Sequence, residues 1–130
     1  MTLPKIVGRE ESLGRYLTQS NHFSRKHNSV RPLAFYPPPV DLRLSVFRID
    51  GLNKNQLWEI GQSCIRNRPQ RTLYGVADIK VFKVQTRGLH VDPDNIPVRH
   101  ANIVGWPEEK ARRNSIAQEL AADAILKFRE

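Results

Sequence analysis

Four histidines, His22, His27, His90 and His100, and fourteen arginines carry most of the chemistry available to this 130-residue chain. His90 and Asp92 alternate in "LHVD", so on a strand they share a face and can form a histidine–carboxylate pair. His100 follows Arg99 within a loop's reach of them. Two histidines flanked by arginines can cleave RNA without a metal. One accepts the 2′-hydroxyl proton, the other protonates the leaving oxygen, and a guanidinium neutralises the phosphorane. On that chemistry His90 and His100 are the candidate catalytic residues, with Arg48 or Arg99 holding phosphate. The competing reading is structural: a histidine hydrogen-bonded across the loop before the last helix.

Arg48 lies inside "LSVFRID", on the face of Leu44 and Val46. An arginine among apolar strand positions must find an acid or an anionic ligand, because an unpaired buried charge is costly. Asp50, Asp78 and Glu59 are the candidate acids; otherwise Arg48 and Arg99 bind an anion at the strand's end. Two basic segments, "HFSRKH" and "RNRPQR", can join with Arg31 in a phosphate-contacting patch of Arg25, Lys26, Arg31, Arg66, Arg68 and Arg71. Phe23, Phe35 and Tyr36 would then stack on bases. The alternative is two solvated loops.

Other chemistry is poorly supported. Cys64 stands alone, and His22 and His27 do not have zinc-ligand spacing on a helix, so no metal site is expected. The chain lacks a P-loop, G-x-G-x-x-G, G-x-S-x-G and H-E-x-x-H, so no cofactor is expected either.

These residues need a scaffold. "GREESLGRYLT" places Leu13, Tyr16 and Leu17 at i, i+3, i+4, which predicts a short first helix. Residues 19–30 break the periodicity and read as a polar, flexible loop, as do residues 1–8. "LRLSVFRID" alternates with apolar residues on both faces, the mark of a central strand. "LNKNQLWEIGQSC" opens with Asn53 as N-cap and Gln56 as its capping-box partner, and predicts a helix. Gly61 inside it points to a close helix-to-sheet contact. "TLYGVADIKVFKVQ" predicts a strand or a bent pair, with Gly75 as a bulge. "LHV" and "HANIV" are short strands. Pro107 then suits a first helical position, ahead of an Ala-rich helix whose apolar rows run through Ile125 and Phe128. The expected fold class is α+β: a small, mostly antiparallel sheet with about three helices, in one domain spanning 1–130.

Composition sets the outer limits. Hydrophobic residues at 39% and charged residues at 26% describe a folded chain. No apolar run is long enough to span a membrane, and a cytoplasmic, reducing location is expected. The net charge is +8, and it is uneven. Residues 1–39 hold six Lys/Arg against two Asp/Glu, residues 40–100 ten against six, and residues 101–130 five against five. The partner expected for the first hundred residues is nucleic acid or an acidic protein.

The stretches "RPLAFYPPP", "LSVFRIDGL", "RTLYGVADI", "HANIVGWPEEK" and "IAQELAADA" resemble a group of small bacterial proteins usually described only as hypothetical. The likeness spans about residues 15–125, with "LSVFR" and "HANIVGWP" its most distinctive parts. It implies a bacterial cytosolic protein and carries over no activity and no site residue. Three functions stay open. One is a non-enzymatic component of a larger assembly that binds nucleic acid or an acidic partner. Another is a metal-independent RNA-cleaving or nucleotide-modifying enzyme using His90 and His100. The third is a protein–protein module of a defence or stress locus, docking through Pro37–Pro39.

Overall fold

Alternating side chains, not helical rows, organise most of the molecule. The computed structural model describes residues 3–129. In chain order the main elements are β1 (Ser12–Leu17), β2 (Phe23–Ser24), β3 (Ser29–Val30), β4 (Leu44–Arg48), α1 (Lys54–Cys64) and β5 (Gly75–Lys80). They continue with α2 (Val81–Gln85), β6 (His90–Pro93), β7 (His100–Val104), α3 (Lys110–Asp123) and β8 (Ile125–Phe128). Six strands form one antiparallel sheet in the order β6-β7-β4-β1-β5-β8, and β2-β3 is a separate small hairpin. The fold is α+β, as expected.

The first correction is β1, read above as a helix. Leu13, Tyr16 and Leu17 fit a helical stripe, but Leu13, Arg15 and Leu17 also alternate with Gly14 and Tyr16. A six-residue run carries both periods, and tertiary pairing decides between them. β1 pairs with β5 along its whole length, from Ser12↔Lys80 to Leu17↔Gly75. Gly14 is needed there, because a β-carbon would sit 2.9 Å from both Ile49 Cγ2 and Val76 Cγ2.

Alternation sorts the sheet into two faces. Leu13, Leu17, Leu44, Val46, Ala77, Ile79, Ala101 and Ile103 join the larger core, with Phe35, Trp106 and the Ile116, Ala117, Leu120 and Ala121 stripe of α3. Tyr16, Phe47, Ile49 and Val76 face the other way and pack with Ile65, Leu73 and the α1 residues Leu57, Trp58 and Ile60. The capping box of α1 is complete: the Gln56 N–H donates to Asn53 Oδ1 at 2.8 Å and the Asn53 N–H to Gln56 Oε1 at 3.0 Å. Gly61 does mark a close helix-to-sheet contact, since a β-carbon there would lie 2.6 Å from Tyr16 Cε1.

Further corrections follow from packing. Residues 19–30 are not simply a loop: they form a 3-10 turn and the β2–β3 hairpin, and bury His22, Phe23 and Val30. Gly75 marks no bulge. The register runs unbroken through Leu17↔Gly75 and Gly75↔Phe128, and the missing β-carbon lets the Lys127 carbonyl approach. α3 starts at Lys110 with Glu109 as N-cap, not at Pro107. Arg113 Nη1 reaches back to the carbonyls of Pro107 and Glu108 and holds that entrance. The helical row does not run to Phe128: the chain extends at Ala124, and β8 pairs along β5. Among the described residues no helix is long and apolar enough to cross a membrane.

Candidate functional site

The sheet splits between β1 and β4. The two strands pair at Leu13↔Arg48 and Gly14↔Phe47, and their pairing stops there. The Arg15 guanidinium bridges the gap. Its Nε donates to the Ala34 carbonyl at 2.7 Å and its Nη1 to the Ser45 carbonyl at 3.1 Å. Among the described residues Arg15 has no carboxylate partner. Loss of solvation, then repulsion from Arg71, brings its pKa down to about 10, so it stays cationic at neutral pH.

A cleft of ≈ 260 Å³ opens at this split, with Arg15, His22, Ser45, Cys64, Arg68 and Arg71 in its lining. The three arginines meet no lining carboxylate among the described residues. Arg68 and Arg71 come from the connection after α1, and Arg71 Nη1 lies 3.4 Å from Thr18 Oγ1. His22 is buried, and its Nδ1 accepts the Thr18 N–H at 3.3 Å. Burial first, then Arg15 and Arg71, push its pKa down to about 4, so the imidazole is neutral at pH 7. Burial also raises the Cys64 thiol, against the pull of Arg15, so it is a poor nucleophile there.

A second polar group adjoins the cleft through Ser45. Ser45 Oγ is 2.6 Å from His100 Nε2, and His100 Nδ1 is 2.8 Å from Asp94 Oδ1. Asn102 Nδ2 donates to the other Asp94 oxygen at 3.4 Å, and the Ile96 N–H donates to Oδ1 at 3.2 Å. Burial acts to raise the Asp94 pKa, but the hydrogen bond from His100 and backbone donors outweigh it and leave it below the usual carboxylate value. An ionised Asp94 only accepts, so Nδ1 carries a proton, and in the neutral imidazole Nε2 then accepts from the Ser45 hydroxyl. The edge of the His100 ring packs on Phe47, with centroids 5.2 Å apart.

The expected constellation of His90, His100, Arg48 and Arg99 is not assembled. His90 is exposed on β6 and pairs with Val104, four positions along β7 from His100, or about 13 Å at strand spacing. Asp92 does not pair with His90; it bonds Arg43 at 2.8 Å. Arg48 points to the opposite face from Phe47 and His100. It pairs with Glu11, Nε to Oε1 at 2.9 Å and Nη2 to Oε2 at 3.0 Å, and not with Asp50, Asp78 or Glu59. Its Nη1 donates to the Pro4 carbonyl at 2.5 Å. Arg99 Nη1 is likewise occupied, by the carbonyls of Arg48 at 3.0 Å and Asp50 at 2.9 Å.

The basic patch is partly gathered. Arg68 and Arg71 line the cleft, Arg66 is exposed on the same connection, and Lys26 and Arg31 are exposed around the β2–β3 hairpin. Arg25 instead lies over the Phe128 ring, 4.4 Å from its centroid. Phe23 and Phe35 are core residues, so they offer no base platform, while Tyr36 is exposed. Arg15, His22, Ser45 and Asp94 were not foreseen. Arg15 gave a signal once β1 is read as a strand, since it then alternates between two leucines just as Arg48 does. Among the described residues no group of His, Cys, Asp and Glu is placed to hold a metal ion. Comparison with protein-family models, with curated proteins and with solved structures gave no match.

Proposed function

We propose that the protein binds single-stranded nucleic acid and seats one backbone phosphate in the cleft between β1 and β4. The observation that carries this reading is the lining: three arginines and no carboxylate among the described residues. A guanidinium fork matches a phosphate, and Arg66, Lys26 and Arg31 are exposed cations on the connection after α1 and around the β2–β3 hairpin. A basic chain in a reducing, cytoplasmic setting would meet nucleic acid as its most abundant polyanion.

The test is fluorescence anisotropy with a labelled single-stranded RNA over a salt series. Affinity should fall steeply with salt, and Arg71→Ala should lower the log–log slope by about 0.7, one phosphate contact. Absence of binding at about 50 mM salt, or a slope unchanged by Arg71→Ala, overturns the reading. Capture of an acidic protein by a chain that ignores RNA would assign the cleft to a carboxylate partner instead.

A further inference from the structure

Ser45, His100 and Asp94 come from three separate segments and meet in one hydrogen-bonded line whose first member lines the arginine cleft. A serine on a central strand gains no packing from a histidine partner, and Asp94 is held in place by donors from Asn102 and the Ile96 N–H.

We propose that Ser45 is a nucleophile for phosphoryl transfer, with His100 as its general base and Asp94 orienting the imidazole. The proposal rests on the phosphate reading of the cleft and deepens it from binding to chemistry. The order of proton positions suits the role. Asp94 fixes the proton on Nδ1 and leaves the Nε2 lone pair facing the Ser45 hydroxyl.

The step balances without a metal. Ser45 Oγ attacks the phosphorus of a phosphodiester, and its proton passes to His100 Nε2. The Oγ–P bond forms while the P–O bond to the leaving alcohol breaks. That oxygen takes the proton back from Nε2. Water or an alcohol then attacks the phosphoserine, gives its proton to Nε2, and Ser45 leaves with that proton. Arg15, Arg68 and Arg71 neutralise the charge that builds on the phosphoryl oxygens.

Strand pairing adds a donor. Arg48 N–H bonds the Arg99 carbonyl, so by antiparallel alternation Ser45 turns its N–H and carbonyl away from β7, towards the split. Arg15 takes that carbonyl. Three guanidiniums lining the same cleft as the serine suit a phosphoryl group, with several charged oxygens, better than an acyl group with one.

The experiment uses a neutral fluorophosphonate probe on the full chain, read by peptide mass. An activated serine forms the Oγ–P bond, P–F breaks, fluoride leaves, and the proton passes to His100. The expected result is one adduct at Ser45, slowed about 100-fold or more in His100→Ala and slowed less in Asp94→Asn. Labelling of the wild-type protein should also fall as pH is lowered, since a protonated imidazole cannot accept the hydroxyl proton. That arm needs no variant to fold. A chromogenic phosphodiester should be turned over in the presence of chelator, with Arg71→Ala raising KM and lowering kcat.

An unlabelled Ser45, or labelling indifferent to His100→Ala and to pH, overturns the nucleophile. Labelling of Ser45 without any binding of RNA or turnover of the phosphodiester overturns the phosphate cleft and the phosphoryl substrate. It leaves an activated serine behind. RNA binding without labelling does the reverse.

Discussion

Two arginines on the same face of the sheet have been treated in opposite ways. Arg48 is sealed, with 1% of its side chain exposed, and meets both oxygens of Glu11. Arg15 is only partly covered, lines the cleft, and bonds neutral carbonyls alone. A sealed charge must be neutralised inside the protein. A charge at the wall of a cleft can wait for its counter-ion. Arg48 therefore belongs to the fold, and Arg15 keeps a charge that a ligand could meet.

The largest effect should come from breaking the sealed pair. Glu11→Gln leaves the Arg48 cation without its counter-charge and should cost about 3 kcal/mol in urea unfolding. Its pH signature has a definite sign. Burial tends to raise the Glu11 pKa, but Arg48 and the Gly8 N–H outweigh it and hold it below 4.5. The stabilisation is thus present above the unfolded value, about 4.3, and is lost as pH falls through the folded one. Glu11→Gln should flatten that acid limb. A variant as stable as wild type, with the limb intact, would remove the basis for the comparison.

The same pair shows what the sequence could and could not reveal. Arg48 stood out because β4 alternates cleanly, and the chain around it reads only as a strand. Its acid lies 37 residues away, on a segment whose helical and strand periods coincide, so Glu11 was hidden behind a wrong helix. Arg15 was hidden for the same reason. Local chemistry was legible where it closes on itself, as in the Asn53–Gln56 capping box. β8 was missed because alanines carry the helical row up to Ala124, and only pairing with β5 pulls the next residues out of it. The Ser45–His100 contact joins residues 55 apart. No motif marks it, because cross-strand register and not spacing brings it together.

A smaller effect should follow at Arg15, and it should separate stability from binding. Arg15→Met loses two hydrogen bonds to carbonyls and also removes a poorly solvated charge. Without ligand its stability should stay within about 1 kcal/mol of wild type. With a short single-stranded RNA at about 100 times its Kd, the wild type should gain about 2.7 kcal/mol. At the same concentration Arg15→Met should gain about 1.4 kcal/mol or less, for a tenfold weaker complex. Equal gains in the two proteins would place Arg15 with Arg48, as a structural residue.

The smallest effect lies at His22, and it reports on the field those arginines create. Its folded pKa, about 4, is below its ordinary 6.5. The unfolded chain therefore takes up a proton first, and stability falls as pH drops from about 6.5 towards 4. At pH 6 the loss should be below about 1 kcal/mol, and His22→Asn should abolish it. A bound phosphate opposes Arg15 and Arg71, so it should raise the His22 pKa, shrink that decline and make binding tighter as pH falls. The imidazole proton signal, followed by NMR with and without RNA, reads that shift directly. An unmoved signal on saturation with RNA would mean that the phosphate sits outside the cleft, and Arg15 would lose its claim to the ligand.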